Sequence, residues 1–328
     1  MSPTVSFVVP CFDYGRYLGD CLGSIFAQEE RVDFEVIVID DGSTDDTQEV
    51  LRSFADSRLR VITHETNRGH VFTINEGLGL ARGRFIARID PDDRYRPCFL
   101  STVLPQFQRY PEVGLVYGNV AVINEQGAVT QARADHVHGN RDHKGNEFLP
   151  LLAENFICAP TVIARREVWQ EALPIPDGLA FSDWYLTLLM ARHHEFYYSD
   201  RVIADYRVHA ANHHVKIVRD RSEEPSLFRL LDMIFAQRED DAVLQMRKEQ
   251  NKRRVYGAHY LTLATKYFGC EMDADARRCY WQALRHHPGY VFRADVWRRL
   301  GALLLGRGVY ERSKVFIKAV RTRAANGS

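Results

Sequence analysis

FEVIVIDDGSTDDT, residues 34–47, decides the fold. Its first half, Phe34 to Ile39, is an apolar, β-branched run broken only by Glu35, as expected of a strand covered on both faces. Its second half stops the strand with Asp40-Asp41-Gly42-Ser43. Val50, Leu51 and Phe54 then fall on one face of a helix. The same alternation extends in both directions. TVSFVVP (4–10) reads as a strand, followed by helical spacing at Tyr17, Leu18, Cys21, Leu22, Ile25 and Phe26. LRVIT (59–63) is a third strand, His70 to Arg82 a helix, and RFIARI (84–89) a fourth strand. Repeated strand–helix units predict an α/β fold: an open, mostly parallel, twisted sheet with helices on both faces. Ligands of such sheets bind at the carboxyl ends of the strands, where the acidic clusters of this sequence lie.

Beyond residue 113 the pattern is more mixed. VGLVYGNVAVINEQGAV predicts strands with a turn at Glu125-Gln126-Gly127, and Ser182 to His193 predicts a helix. After about Val215 strand signals fade. Helical patterns follow at Ser226–Gln237, Ala242–Phe268, Ala274–His286, Ala294–Leu305 and Val309–Arg321. The polar stretch RDRSEEPS marks a boundary, giving a domain at 1–215 and an α-helical C-terminal region at 216–328. The 328 residues carry 43 basic and 43 acidic side chains, a balance that argues against nucleic acid as a partner. The six cysteines form no CxxC pair, and no Cys/His spacing suggests zinc. Scattered thiols fit a reducing compartment. No leader pattern opens the chain, and no window reaches the roughly 18 apolar residues needed to span a bilayer. The expectation is a cytoplasmic protein.

Three acidic features carry the chemistry. Asp90-Pro91-Asp92-Asp93 follows a strand directly. Three carboxylates in four residues repel one another unless a cation or hydrogen-bond donors compensate, and hard oxygen ligands suit Mg²⁺ or Mn²⁺. A solvated turn capping the next helix is the simpler alternative. In the second feature, Asp40 could accept from a ribose hydroxyl or a base N–H, while Ser43, Thr44 and Asp45 could merely cap a helix. A dinucleotide-binding dehydrogenase also places an acid after its second strand, but it needs G-x-G-x-x-G after the first. VVPCFDYGRYL has a single glycine there, which excludes that reading. The third feature is Asp183 in FSDWYL. Flanked by Phe181 and Trp184, it is either a partly desolvated general base or an acid favoured by the N-terminus of a helix. Arg207 and His209 in YRVHAAN add a phosphate clamp and a metal ligand to the candidates.

Taken in order, these segments resemble the family 2 glycosyltransferases of the GT-A fold. VVPCFDYGRYL resembles the family's opening strand and turn, VIDDGSTDDT its nucleotide-binding segment, and NRG with NEGLGLARG its next block. IARIDPDDRYRP carries its Asp-x-Asp metal motif, and CAPTVIARREVW, SDWYL and ADYRVHAANHH its acceptor-side half. The resemblance covers roughly residues 3–214. Asp13 stands where the family often has Asn, and Ser182 precedes Asp183 where many members carry an acid. The resemblance implies an inverting transfer from a nucleotide-diphosphate sugar, UDP by default, to a hydroxyl of a glycan or lipid-linked glycan, in surface polysaccharide synthesis. It implies that Pro10, Asp13, Asp40, Asn67, Asp90 and Arg207 bind the nucleotide sugar. Asp92, Asp93 and His209 would hold Mn²⁺ or Mg²⁺, and Asp183 would be the base.

Two other functions compete. A polyprenyl-phosphate glycosyltransferase on the same fold often carries membrane helices, which this sequence lacks. A non-catalytic nucleotide-sugar-binding protein would have little use for the full set of carboxylates. The C-terminal stretch allows a peripheral contact with an anionic membrane at the inner face of the plasma membrane. Arg312, Lys314, Lys318, Arg321 and Arg323 surround Val309, Phe316, Ala319 and Val320, and Trp297 and Leu303 to Leu305 could add apolar insertion. An ordinary packed helix with a solvated basic face is the alternative.

Overall fold

The computed structural model describes residues 2–134, 136–209 and 217–308. The chain divides into two compact units, Met1–His213 with Ser226–Ile234, and His214–Pro225 with Phe235–Ser328. The first unit opens with β1 (Val5–Cys11), α1 (Gly15–Phe26), β2 (Phe34–Asp40), α2 (Thr47–Ser53), β3 (Leu59–Thr63), α3 (His70–Leu80) and β4 (Phe85–Arg88). It continues through β5 (Arg94–Tyr95), α4 (Phe99–Arg109), β6 (Val113–Ile123), β7 (Val129–Gln131), β8 (His143–Gly145) and α5 (Phe148–Ala153). β9 (Ile163–Arg165), α6 (Arg166–Ala172), α7 (Ser182–Ala191) and β10 (Glu195–Arg207) complete its run up to Arg207.

The sheet order is β3-β2-β1-β4-β9-β6-β10-β5, with β7 on β6 and β8 on β10. β3, β2, β1 and β4 are all parallel, with Cys11 opposite Asp40 and Asp40 opposite Thr63. β9 runs antiparallel between β4 and β6, and β10 pairs parallel with β6. Most paired residues therefore lie in parallel ladders, within a mixed sheet.

Alternation along the strands explains why helices cover both faces. Val5, Phe7 and Val9 of β1 and Val36 and Val38 of β2 pack in one core with Leu18, Leu22 and Ile25 of α1 and Phe99, Val103 and Phe107 of α4. The opposite face meets α3: a Cβ on Gly77 would stand 2.6 Å from Val8 and 3.3 Å from Ile39, so the glycine sets how closely the helix approaches. Glu35, the polar break in the strand run, is buried but fully partnered. It accepts from Ser6 Oγ at 2.6 Å and from Arg82 Nη2 at 2.6 Å.

The C-terminal helices are α8 (Glu223–Ala236), whose residues Ser226–Ile234 belong to the first unit, then α9 (Ala242–Gly269), α10 (Asp273–His286) and α11 (Ala294–Leu305). In the second unit, Tyr267 of α9, Cys279 and Tyr280 of α10 and Leu300 of α11 are fully buried. Asp241 caps α9, accepting from the N–H groups of Val243 and Leu244. No helix among the described residues is long and apolar enough to cross a membrane. Trp297, Leu304 and Leu305 are exposed on α11, whereas the expected basic helix at 309–321 lies outside the described residues.

Candidate active site

Three parallel strands deliver their carboxyl ends to one edge. At the end of β1, Pro10 is buried in the ladder, and Asp13 turns with φ at 55°. That left-handed conformation suits Asp or Asn, which accounts for an Asp where the family often has Asn. Asp13 ties two loops together: its N–H donates to Ser43 Oγ at 2.9 Å and its Oδ1 accepts from the Thr44 N–H at 2.7 Å. Gly15 completes this junction, because a Cβ there would lie 2.5 Å from the Thr47 backbone nitrogen.

At the end of β2, Asp40 is fully buried. Its Oδ1 accepts from the Ser43 N–H at 3.0 Å, and its Oδ2 accepts from Gln48. Its neighbour Asp41 organises the next loop, accepting from the N–H groups of Arg68 at 2.8 Å and Gly69 at 2.9 Å. Asn67 is exposed on that loop, held beside Gly42: a Cβ on Gly42 would sit 3.0 Å from the Asn67 nitrogen. Asp41 also pairs with His64 Nδ1 at 2.7 Å, while Glu76 takes His64 Nε2 at 2.6 Å. This Asp41–His64–Glu76 relay escaped the sequence reading, since its members are 12 and 23 residues from the histidine. Only the strand-end position of Asp41 hinted at it.

The segment after β4 holds the densest charge. Arg88, buried in the strand, donates through Nη2 to both carboxylate oxygens of Asp90, at 2.6 and 2.7 Å. Asp92 Oδ2 lies 3.0 Å from His209 Nε2, and both residues are buried. Tyr17 packs on the His209 ring at 5.1 Å between centroids. Asp93 is 1% exposed; its Oδ1 accepts from the Arg207 N–H at 2.8 Å, and its Oδ2 has no hydrogen-bond partner among the described residues. Burial first, then the charge of Asp90, raises the Asp92 carboxyl above its ordinary range; His209 opposes the shift only in part. Burial, Asp92 and Asp90 push Asp93 well up. The nearby Tyr14 and Tyr206 phenols are raised too, by burial and then by these same carboxylates. These carboxyls are thus crowded and desolvated, so each raises the others.

Arg207 sits among these groups but is already committed. Its Nε donates to the Asp92 carbonyl at 2.7 Å, its Nη1 to the carbonyls of Asn124 at 3.2 Å and Glu125 at 3.1 Å, and its Nη2 to Asp20 at 3.1 Å. The guanidinium braces the Asp92–Asp93 segment against the β6–β7 turn. Asp183 lies elsewhere, half-buried in the first turn of α7, its carboxylate without a hydrogen bond or ion pair among the described residues. Trp184 beside it is anchored by its indole N–H to the Leu151 carbonyl at 2.9 Å.

Asp92 and His209 bring a hard carboxylate oxygen and an imidazole nitrogen together, donors that suit a divalent ion of the Mg²⁺ or Mn²⁺ kind. Asp93 follows in the chain, with Oδ1 taken by the Arg207 N–H and Oδ2 without a donor among the described residues.

The chain belongs to glycosyl transferase family 2, whose model matches residues 6–172. It is accordingly a glycosyltransferase that uses a nucleotide-sugar donor. An uncharacterized glycosyltransferase of Nostoc sp. is 27% identical over 232 residues, covering 67% of this chain and 69% of the relative. Among solved structures, the 1–349 fragment of S. aureus TarS in complex with UDP-GlcNAc matches with a TM-score of 0.68 at 17% identity, over 94% of this chain and 88% of that one. The mannosyltransferase PcManGT from Pyrobaculum calidifontis, in complex with GDP-Man and Mn²⁺, matches with a TM-score of 0.59 at 17% identity, over 94% and 87%. These likenesses establish the GT-A fold expected from the sequence.

Proposed function

We propose that this protein is an inverting, metal-dependent glycosyltransferase that moves a sugar from a UDP-sugar to a hydroxyl of a glycan or lipid-linked glycan in surface polysaccharide synthesis. The observation that carries the reading is the buried Asp92–His209 pair at the carboxyl edge of the sheet, followed by Asp93, whose buried Oδ2 has no partner among the described residues. Asp92, Asp93 and His209 would hold Mn²⁺ or Mg²⁺, which when bound neutralises charge on a leaving diphosphate. Pro10 and Asp13 shape the pocket floor by locking the β1 and β2 loops together. Asp40 and the exposed Asn67 face the nucleoside, and Asp90, oriented by Arg88, faces the ribose. Arg207 acts through Asp92 and Asp93, positioning both rather than touching donor. Asp183 takes the proton from the acceptor hydroxyl. Among the described residues no hydrogen bond or ion pair occupies its carboxylate oxygens, which suits that transfer. TarS with UDP-GlcNAc supports a uridine donor, and PcManGT with Mn²⁺ supports the metal. The organisation follows as a catalytic domain at 1–215 and a helical region at 216–328 that faces acceptor or membrane, in the cytoplasm.

A thermal-shift panel tests this reading. A ligand that binds only the folded state stabilises by about 2.7 kcal/mol at a hundred times its dissociation constant. UDP with Mn²⁺ is expected to raise the melting temperature most, and UDP with excess chelator little. Equal stabilisation with and without chelator, or none by any nucleoside diphosphate, would overturn it.

A further inference from the structure

A second cluster of metal-ligating side chains lies in the first unit and has no part in the chemistry above. His138, His143 and Glu147 each offer a ligand atom, and these atoms all lie within 4.8 Å of one another. His138 Nε2 is 2.9 Å and His143 Nε2 3.8 Å from Glu147 Oε1. Ligand atoms around a tetrahedral ion with bonds of about 2.0–2.1 Å stand about 3.3 Å apart. The measured separations straddle that spacing.

We propose that His138, His143 and Glu147 bind a first-row transition-metal ion of the zinc kind, which closes the 138–147 segment on itself. The segment is built to converge. His138, Gly139 and Asn140 all have left-handed backbones, with φ of 51°, 63° and 58°, and this tight turn brings the two histidine rings into a stack 4.1 Å apart and 13° from parallel. His143 is fixed in β8 opposite Tyr198 of β10. Glu147 is fixed at the start of α5, its carbonyl accepting from the Leu151 N–H at 2.9 Å. Gly145 leaves room for the His143 ring, since a Cβ there would lie 3.0 Å from Nε2.

Glu147 is 1% exposed, and its side-chain partners are the Tyr117 hydroxyl at 3.2 Å and the two histidines, with no lysine or arginine among them. The stacked imidazoles present two ring nitrogens beside this buried carboxylate, and neutral imidazole is the form that ligates metals. The Tyr117 hydroxyl, donating to Glu147, orients that ligand. Two nitrogens and one oxygen suit Zn²⁺, Co²⁺ or Ni²⁺ better than the Mg²⁺ or Mn²⁺ favoured by the oxygen-rich Asp92–Asp93 cluster. A search for cysteine and histidine spacings misses the site, because its third ligand is a glutamate.

The test uses the full chain carrying Asp92→Asn, so that the acidic cluster contributes little, stripped with chelator and dialysed. Co²⁺ is titrated in and followed by visible absorption, then displaced with Zn²⁺. One equivalent of Co²⁺ with four-coordinate ligand-field bands, displaced by Zn²⁺, is expected. His143→Asn, at a side chain 43% exposed, should weaken Co²⁺ binding at least tenfold and abolish the Zn²⁺-induced rise in melting temperature. His70→Asn, on α3 beside β1 and β2 at the other end of the sheet order, should change neither. Absence of stoichiometric binding, or binding unchanged by His143→Asn, would overturn the proposal and leave a histidine–glutamate pair.

Discussion

Arg207→Lys distinguishes a brace from a phosphate clamp. The Arg207 guanidinium is 1% exposed and reaches the carbonyls of Asp92, Asn124 and Glu125 together with Asp20. An ammonium is a compact point charge and cannot span carbonyls on opposite sides of the planar fork. The substitution therefore loses about two of these charge-assisted hydrogen bonds. At about 1.5–3 kcal/mol each, that costs about 3–6 kcal/mol. The contact to Asp20 adds little, because Asp20 is 59% exposed. In a unit of this size 1 kcal/mol shifts the melting temperature by about 2–4 °C, so a fall of at least about 6 °C is expected. Calorimetry of the apo protein measures it, with UDP and Mn²⁺ affinity as the second readout. If Arg207 instead gripped the donor diphosphate, affinity would drop while the apo melting temperature held. That result would refute the bracing argument.

Two further outcomes follow from the same geometry. Asp183→Asn should lower transfer by about 10²–10⁴-fold, the usual cost of removing a positioned base, while donor affinity measured by calorimetry stays near wild type; lost donor affinity with turnover intact would move Asp183 to the donor side. His64 should make stability depend on pH. Burial lowers its pKa, but Asp41 and Glu76 outweigh that and hold it above the ordinary value. The stabilisation is therefore complete below about pH 6.5 and is lost as pH rises through the folded pKa. The melting-temperature difference between wild type and His64→Gln should shrink on the alkaline side, and a constant difference would contradict the pairing.

The parts of the fold legible in the sequence are those where one face or both faces of an element are uniformly apolar. β1, β2 and β4 are such runs, and α1 shows its buried Leu18, Leu22 and Ile25 at helical spacing. β10 was not legible as a strand. Its Ser199-Asp200-Arg201 break is absorbed by register shifts against β6 between Ser199 and Val202, a tertiary accommodation that strand alternation does not announce. α4 carries Pro105 inside the helix, which masks its periodicity. The candidate site divides in the same way. Asp40, Asp90, Asp92 and Asp93 stand out because acids directly after apolar strands are chemically costly. The commitment of Arg207 to carbonyls 82 to 115 residues away, and the capture of His64 by Asp41, depend on loops meeting in space. Apart from the strand-end position of Asp41, local sequence holds no trace of either.

The most direct test of the central claim is a calorimetric titration of UDP with Mn²⁺ into wild type and Asp92→Asn. Wild type should bind UDP with Mn²⁺ and lose most of that affinity in excess chelator. Asp92→Asn should weaken Mn²⁺-dependent UDP binding by about 100-fold, in keeping with an ion that contributes several kcal/mol at the diphosphate. UDP binding that is equally tight in chelator, or unchanged by Asp92→Asn, would contradict a metal held by Asp92, Asp93 and His209.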